Sequence, residues 1–237
     1  DNGLANWTVF LDFNKNGIAD GNDLIAKTNS SGSYRFAGLE EGKYTIRLIL
    51  RNGWIQTTPN PVQVGIDDDE HAVLNFGAFK LGKIIGMKFE DFNGNGIKDE
   101  NEKGLANWTV VLSGPVNKFA VTDQNGSYSF ANLTYGNYTI SENQQIGWTQ
   151  TKPDSNYSVG IQSGIISQQR DFGNFKLGEI HGSVFNDANN NTIKDSNEAG
   201  LANWSVSLSG NANLTAKTDE NGSYKFGREQ SFHVFIP

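Results

Sequence analysis

The sequence predicts an all-β protein, made of tandem immunoglobulin-like or prealbumin-like β-sandwich modules with calcium-binding loops. Short stretches of alternating apolar and polar residues, separated by Gly, Asn and Asp, are typical of antiparallel strands and turns. No window has the periodicity of a long amphipathic helix. Four motifs recur at a spacing of about one hundred residues, which is the size of one β-sandwich.

The recurring motifs divide the 237 residues into three modules. G-L-A-N-W and T-x-x-x-G-S-Y-x-F each occur three times, whereas G-W-x-Q-T-x-P and F-G-x-F-K-L-G each occur twice. We assign residues 1–81 to module one, 82–177 to module two and 178–237 to module three. Module two is complete, module one lacks the first strand, and module three lacks the later strands.

Module two shows the elements in order. Its strands are expected at residues 84–90, 107–113, 119–122, 127–131, 137–142, 156–161 and 171–175. Alternation places Trp108, Val110 and Leu112 on one face of the second strand. The expected core consists of Phe89, Trp108, Val110, Leu112, Val121, Tyr128, Phe130, Tyr138, Ile140 and Phe172.

A calcium loop follows the first strand of module two. The pattern D-x-[DN]-x-[DN]-G-x5-E places short oxygen-bearing side chains at odd positions, a turn-making Gly at position six and a bidentate Glu at position twelve. Calcium is a hard cation that takes six to eight oxygens, and this spacing supplies them. The predicted ligands are Asp91, Asn93, Asn95, Ile97 (through its carbonyl), Asp99 and Glu102.

The same pattern occurs in the other two modules with one change in each. In module one it lies inside a hairpin, with predicted ligands Asp12, Asn14, Asn16, Ile18, Asp20 and Asp23. Asp23 is shorter than Glu, so weaker binding is expected there. In module three the ligands are Asp187, Asn189, Asn191, Ile193, Asp195 and Glu198, and Thr192 replaces the Gly. If position six needs a positive φ, this site should be the loosest.

Composition and charge exclude several classes of protein. A net charge of -7 without a Lys/Arg cluster argues against nucleic-acid binding. The chain has no cysteine, so disulfides and zinc–thiolate sites are excluded, and no apolar run is long enough to span a membrane. The three histidines, His71, His181 and His233, are far apart, and no nucleophile elbow or phosphate-binding loop occurs. The chain is therefore predicted not to be an enzyme.

Eleven N-x-[ST] sequons indicate an extracellular chain. They begin at Asn6, Asn29, Asn107, Asn125, Asn132, Asn137, Asn156, Asn190, Asn203, Asn213 and Asn221. Asn, Ser and Thr are all common here, so the sequons indicate either a glycosylated surface or a consequence of composition.

These motifs, taken together, resemble the SdrD B-like repeat, which is related to Cna-B domains of bacterial and archaeal surface proteins. The resemblance rests on G-M-K-F-E-D-F-N-G-N-G-I-K-D-E-N-E-K-G-L, T-x-x-x-G-S-Y-x-F-x-x-L and G-W-x-Q-T-x-P, and it covers all but roughly the last eleven residues. It implies calcium-rigidified sandwiches that form stalks at the cell surface. It also implies the option of a Lys–Asn isopeptide bond assisted by a buried Glu, for which Lys88, Glu142 and Asn174 are available. The alternative is a solvent-facing lysine and an ordinary edge glutamate.

Two classes of function stay open at this point. The first is a structural rod or stalk whose partners are neighbouring repeat modules or other copies of the chain, joined into fibres by strand addition at open sheet edges. The second is an adhesin-type binding module for a carbohydrate, a protein or the cell wall, in which Trp54 and Trp148 could stack on sugars or could simply pack within the module.

Overall fold

A computed structural model describes residues 2–68, 71–166, 169–210 and 212–227. That part of the chain is all-β and contains no helix, which confirms the predicted fold class. No described helix is therefore long and apolar enough to cross a membrane. The strands are β1 (Thr8–Leu11), β2 (Leu24–Lys27), β3 (Gly42–Leu48), β4 (Trp54–Gln56), β5 (Val62–Ile66), β6 (Ala78–Lys80), β7 (Gly82–Glu90), β8 (Thr109–Ser113), β9 (Lys118–Val121), β10 (Ser127–Leu133), β11 (Gly136–Glu142), β12 (Trp148–Lys152), β13 (Tyr157–Ile161), β14 (Phe172–Lys176), β15 (Ile180–Ser183), β16 (Ser205–Leu208), β17 (Leu214–Lys217) and β18 (Ser223–Phe226).

The chain forms two compact units. One comprises Asp1–Lys83, Ala131–Asn137 and Gly160–Ser167, and the other comprises Ile84–Phe130, Tyr138–Val159 and Gln168–Pro237. These units do not follow the boundaries of the three modules, and the module boundaries stay a prediction.

Module one contains a four-stranded sheet in the order β2-β1-β3-β5 and a separate pair, β4-β6. Trp7, Val9, Leu11, Ile46 and Leu48 form its buried cluster, because alternate residues of β1 and β3 point to the same face. The motif tryptophan of β4, Trp54, packs edge-to-face against Trp7 with ring centroids 5.0 Å apart.

Module two has two four-stranded sheets, in the orders β10-β7-β14-β12 and β13-β11-β8-β9. Strand β7 lies inside its sheet, and it runs parallel to β14 with Lys88 opposite Phe172. Aromatic contacts join the two sheets: Tyr157 of β13 meets Phe172 of β14 at 5.4 Å between centroids. The predicted face of β8 is confirmed, since Trp108, Val110 and Leu112 are all buried.

Two predictions for module two were wrong. Val121 was expected in the core, but 54% of it is exposed, because it ends the edge strand β9 with its side chain on the outer face. Strand β12 was not among the predicted strands. Its sequence, W-T-Q-T-K, is mostly polar, and it becomes a strand through its antiparallel pairing with β14.

Module three, as far as the structure describes it, consists of two antiparallel pairs, β15-β18 and β16-β17. Its motif tryptophan, Trp204, is 55% exposed, whereas the equivalent Trp7 and Trp108 are each 3% exposed. The equivalents of β4 and β12, which cover those two tryptophans, have no counterpart in the described residues of this module. His233 and the C-terminal segment 228–237 lie outside the described residues.

Candidate functional site

The central loop, residues 91–102, links its predicted ligand side chains in one hydrogen-bond network. Asp91 is fully buried, and its two carboxylate oxygens accept the N–H groups of Asn95 at 3.1 Å and Gly96 at 2.7 Å. Glu102 is also buried, and its two oxygens accept the N–H groups of Phe92 and Asp99, both at 3.1 Å. The first and last ligand positions are thus fixed by the main chain of the loop itself.

The intermediate ligands complete the network. The amide nitrogens of Asn93 and Asn95 both donate to one oxygen of Asp99, at 2.8 and 3.1 Å. The N–H of Ile97 donates to the side-chain oxygen of Asn95 at 2.7 Å. Rotation of either amide by a half-turn would present an oxygen towards Asp99, at the cost of the hydrogen bond that the amide oxygen accepts from the N–H of Asn95 or Ile97. This set of carboxylate, amide and carbonyl oxygens fits calcium.

Carboxylates alone do not make such a site. In the described ranges, no three His, Cys, Asp or Glu side chains cluster closely enough to hold a metal ion. The asparagine oxygens and the carbonyl at position seven would therefore have to supply part of the coordination shell in each loop. Ile97, the residue that offers this carbonyl in the central loop, keeps its side chain 61% exposed.

The third loop, residues 187–198, has the same network with a strained residue in the turn. Thr192 adopts a φ of 66°, while Gly17 and Gly96 at the same position have φ values of 79° and 71°. Position six therefore does need a left-handed backbone, as the prediction for this loop supposed. Because a β-branched residue is unfavourable in that region, Thr192 carries a backbone cost of about 1–2 kcal/mol.

The first loop, residues 12–23, differs from the other two because an arginine side chain binds its first acidic residue. Arg47 of β3 donates its Nε–H to Asp12 at 2.5 Å, and its guanidinium carbon lies beside the turn at Gly17. Burial raises the pKa of Asp12, but the hydrogen bond from Arg47 and those from Gly17 and Asn16 outweigh it, so the pKa is lowered. Arg47 could not be assigned to this loop from the sequence, because it lies 35 residues from Asp12 and only the pairing of β1 with β3 brings the two together.

A second constellation lies in the interior of module two. Lys88 is completely buried, and its ammonium group donates hydrogen bonds to Glu142 and to the side-chain oxygen of Asn174. The amide nitrogen of Asn174 donates to the other oxygen of Glu142 at 2.7 Å. One carboxylate therefore touches both the lysine and the amide. The alternative of a solvent-facing lysine and an edge glutamate was wrong.

The strands explain this arrangement. Lys88 lies on β7, Asn174 on the adjacent parallel strand β14, and Glu142 on β11 of the facing sheet. Lys88 also lies over the ring of Trp108, with the nitrogen 3.9 Å from the centroid. Burial lowers the pKa of Lys88 to about 8, although the nearby charge of Glu142 and its hydrogen bond oppose this shift. With a pKa of about 8, roughly one Lys88 side chain in ten is neutral at pH 7, a much larger share than for an exposed lysine, and the neutral form is the nucleophile.

The other two modules cannot form the same constellation. In module one the positions of Glu142 and Asn174 are occupied by Leu48 and Ala78. In module three Val184 occupies the position of Lys88. The constellation is thus specific to module two.

The remaining predicted residues are placed as follows. Trp148 packs edge-to-face on Trp108 at 5.6 Å between centroids, as Trp54 does on Trp7, so both motif tryptophans pack within their modules. All eleven sequon asparagines are exposed, and their glycosylation stays a prediction. Asn6, Asn107 and Asn203 have φ near 60°, which is a structural reason for asparagine in G-L-A-N-W.

A family model described as the SdrD B-like domain matches residues 80–181 and 175–231. The chain belongs to the SdrD B-like domain family. The resemblance inferred from the motifs is thereby confirmed. The match covers module two entirely and the described part of module three.

Curated relatives agree with this membership. The chain is 31% identical over 270 aligned positions to serine-aspartate repeat-containing protein F of Staphylococcus epidermidis, covering 100% of this chain and 16% of the relative. It is 30% identical over 260 positions to serine-aspartate repeat-containing protein D of Staphylococcus aureus (strain MW2), covering 95% and 19%. The chain thus spans less than a fifth of these relatives. A streptococcal ancillary pilin structure matches 95% of the chain and 80% of its own length at 16% identity, with a TM-score of 0.37.

Proposed function

We propose that this chain is a non-enzymatic, extracellular structural segment of a cell-surface protein, in which module two is locked by an intramolecular isopeptide bond. The observation that carries the proposal is the buried contact of Lys88, Glu142 and Asn174. Such a bond would join the first and last strands of the module. Because parallel neighbours β7 and β14 would then be covalently tied, the module could not open from either end under tension.

The contacts of these three side chains fit the formation of an amide bond between Lys88 and Asn174 with release of ammonia. The neutral Nζ of Lys88 attacks Cγ of Asn174, and an Nζ–Cγ bond forms while the Cγ–Nδ2 bond breaks. Glu142 takes the proton from Nζ through one oxygen and delivers it to Nδ2 through the other, so ammonia leaves. Burial lowers the pKa of Lys88 to about 8 and so raises the share of neutral amine. Each molecule undergoes the reaction once, so there is no catalytic turnover.

Calcium bound in the three loops would also stiffen the chain. Bound in each loop, it would supply positive charge to offset the carboxylates at positions one, nine and twelve. The loops would then hold the strands beside them in one conformation, and tandem modules would form a stiff rod. Open sheet edges would allow assembly into fibres with other copies or neighbouring repeats.

The crosslink is tested by the stability of Glu142→Gln. Loss of the carboxylate removes the proton carrier, so the bond between residues 86 positions apart should not form. Closing a loop of that length stabilises a fold by about 4–5 kcal/mol in the chain-entropy description of crosslinks. The variant should therefore melt about 10 °C or more below the unsubstituted chain in differential scanning calorimetry.

Glu40→Gln is the matched control, because Glu40 is exposed and lies outside the constellation. It should melt with the unsubstituted chain. Equal melting of all three proteins would contradict the proposal.

A further inference from the structure

The predicted calcium loop of module two is closed at its base by the strand that carries Lys88. The N–H of Leu105, beyond the end of the loop, donates to the main-chain carbonyl of Lys88 at 2.9 Å. The N–H of Glu90 donates to the carbonyl of Lys103, also at 2.9 Å. Two residues separate Lys88 from Asp91, the first predicted ligand. The same short segment therefore fixes both the base of the loop and the main chain of the lysine.

The loop is also bonded directly to the other partner of the proposed crosslink. The N–H of Asp91 donates to the main-chain carbonyl of Asn174 at 2.9 Å. The carboxylate of the same aspartate is buried and accepts N–H groups from within the loop at 3.1 and 2.7 Å. Asp91 thus binds the loop through its side chain and Asn174 through its main chain, so a change in the loop reaches Asn174 through a single residue.

The turn of the loop contacts the strand that borders Asn174. A Cβ on Gly96 would lie 3.4 Å from the carbonyl of Thr151 in β12. A Cβ on Gly173 would lie 2.9 Å from the hydroxyl of the same threonine and 2.8 Å from the ring of Phe89. Thr151 therefore lies beside both the turn and the residue that precedes Asn174, and the loop, β12 and β14 are closely packed.

The crosslink requires that two side chains keep one mutual position. The Nζ of Lys88 must reach the Cγ of Asn174, and a displacement of about 1 Å at a reacting centre can slow a reaction by about a hundredfold. Without a cation, the carboxylates at positions one, nine and twelve repel one another and oppose the closed form of the loop. An opened loop would hold Asn174 less firmly, because the bond from Asp91 depends on the first residue of the loop.

We propose that the predicted calcium loop of module two controls formation of the crosslink, because closure of the loop around calcium lets Asp91 hold Asn174 in place for attack by Lys88. The inference rests on the crosslink of the proposed function and adds its regulation. Asp91 is a positioning residue, since the reacting atoms belong to Lys88, Glu142 and Asn174. The crosslink would then form when the folded chain meets calcium, and a chain kept from calcium would stay open for much longer.

The rate of crosslinking in the freshly made full chain tests the inference. The chain is synthesised in a cell-free system with a calcium-selective chelator, synthesis is stopped, and excess calcium or more chelator is added. Samples are unfolded at intervals, and their intact mass gives the fraction that has lost one ammonia. The rate should be about tenfold or more higher with calcium than with chelator. Magnesium should not replace calcium, because it demands a tighter octahedral shell.

Two substitutions in the loop separate metal binding from a general effect on the module. Asp99→Asn removes the carboxylate at position nine, and in calcium it should crosslink about as slowly as the unsubstituted chain with chelator. Glu100→Gln is the matched control, because Glu100 is exposed and lies at a position without a predicted ligand. It should crosslink as fast as the unsubstituted chain. Circular dichroism of both variants shows that the strands have formed.

The coupling must also act in the reverse direction, because calcium binding and crosslinking favour the same arrangement of Asp91 and Asn174. Hydrogen exchange follows each loop separately as calcium is added. Protection of residues 91–102 should need about fivefold or more calcium in Glu142→Gln, which cannot crosslink, than in the unsubstituted chain. Residues 187–198 should respond alike in both proteins, since module three has no equivalent of Lys88.

The possible results distinguish the regulation from the crosslink itself. Loss of ammonia at equal rates in calcium and chelator, or an Asp99→Asn chain that crosslinks at the full rate, would overturn the inference and leave the crosslink in place. An equal calcium requirement of residues 91–102 in Glu142→Gln and the unsubstituted chain would also overturn it. A chain that keeps its full sequence mass under every condition would contradict the proposed crosslink, and the inference with it.

Discussion

Arg47 is the residue that most clearly separates the first loop from the other two. Its side chain is only 22% exposed and places a positive charge on Asp12, the first ligand position, where a cation would also bind. The two charges compete for the same carboxylate oxygen, since Asp12 is buried and has room for few partners. The first loop is therefore braced by an internal cation and is expected to bind calcium weakly.

Replacing Arg47 with Gln should strengthen calcium binding at the first loop. The change removes the competing charge and keeps most of the side-chain volume, so a several-fold gain in affinity is expected in titration calorimetry of the chain. Arg51→Gln is the control, because Arg51 contacts the main chain of Asn6 and the ring of Trp7 instead of a ligand. An affinity that does not change in Arg47→Gln, or that changes equally in the control, would refute this role.

Thr192 tests the backbone requirement in the third loop. Thr192→Gly removes the cost of a left-handed β-branched residue, about 1–2 kcal/mol, without changing any ligand side chain. If the loop adopts this turn only when calcium is bound, the affinity should rise by about tenfold; if the turn persists without metal, the melting temperature should rise instead. Calorimetry measures both quantities, and Thr215→Gly in strand β17 is the control. If neither the calcium affinity nor the melting temperature rises in Thr192→Gly, the turn is not strained.

For individual residues, the sequence predicts which side chains are candidate calcium ligands but not which other side chains contact them. The D-x-N-x-N pattern is local, so residues 91–102 could be located without a structure. Arg47 lies 35 residues from Asp12, and only the pairing of β1 with β3 brings them together. The contact of Lys88 with Glu142 and Asn174 spans 54 and 86 residues, and family resemblance alone suggested it.

The predicted calcium loops are held together by hydrogen bonds within each loop. Each loop is held by its own main-chain N–H groups, as Asp187 shows by accepting from Asn191 and Thr192 at 3.0 and 2.8 Å. In the third loop, acidic side chains at positions one, nine and twelve lie within a twelve-residue turn, and their mutual repulsion opposes that turn. Calcium should offset the repulsion, whereas magnesium should do so poorly, because it demands a tighter octahedral shell.

Removal of calcium should therefore loosen the loops and destabilise the modules that contain them. With chelator, the melting temperature should fall and the radius of gyration should rise, and hydrogen exchange should increase first at residues 91–102 and 187–198. Residues 12–23 should change least, because Arg47 remains in place. Unchanged melting, radius and exchange in calcium, magnesium and chelator would contradict metal binding.

Strand prediction succeeded where burial imposes a pattern and failed where pairing alone defines the strand. The buried alternation of β8 was read correctly, since one face is apolar. The polar strand β12 was not, because its residues are only partly buried and it is defined by its partner β14. Val121 was misplaced for a related reason: an edge strand can carry an apolar residue on its outer face.

At the scale of the whole molecule, one repeat has been adapted in three ways. Module two combines a predicted calcium loop with a buried lysine between two strands. In module one an arginine binds the first acidic residue of the predicted loop, and in module three the predicted loop has a strained turn. The repeat could be recognised from motif spacing, because each motif is short and nearly invariant. The differences could not, because they depend on which residues meet across the sheets.

The central claim is that Lys88 and Asn174 become covalently joined in a structural module. The intact mass of the purified, unfolded chain tests it most directly. The account predicts a mass lower than that of the sequence by one ammonia, with a peptide joining residue 88 to residue 174 after digestion, and the full sequence mass for Glu142→Gln. An unsubstituted chain at its full sequence mass would contradict the claim.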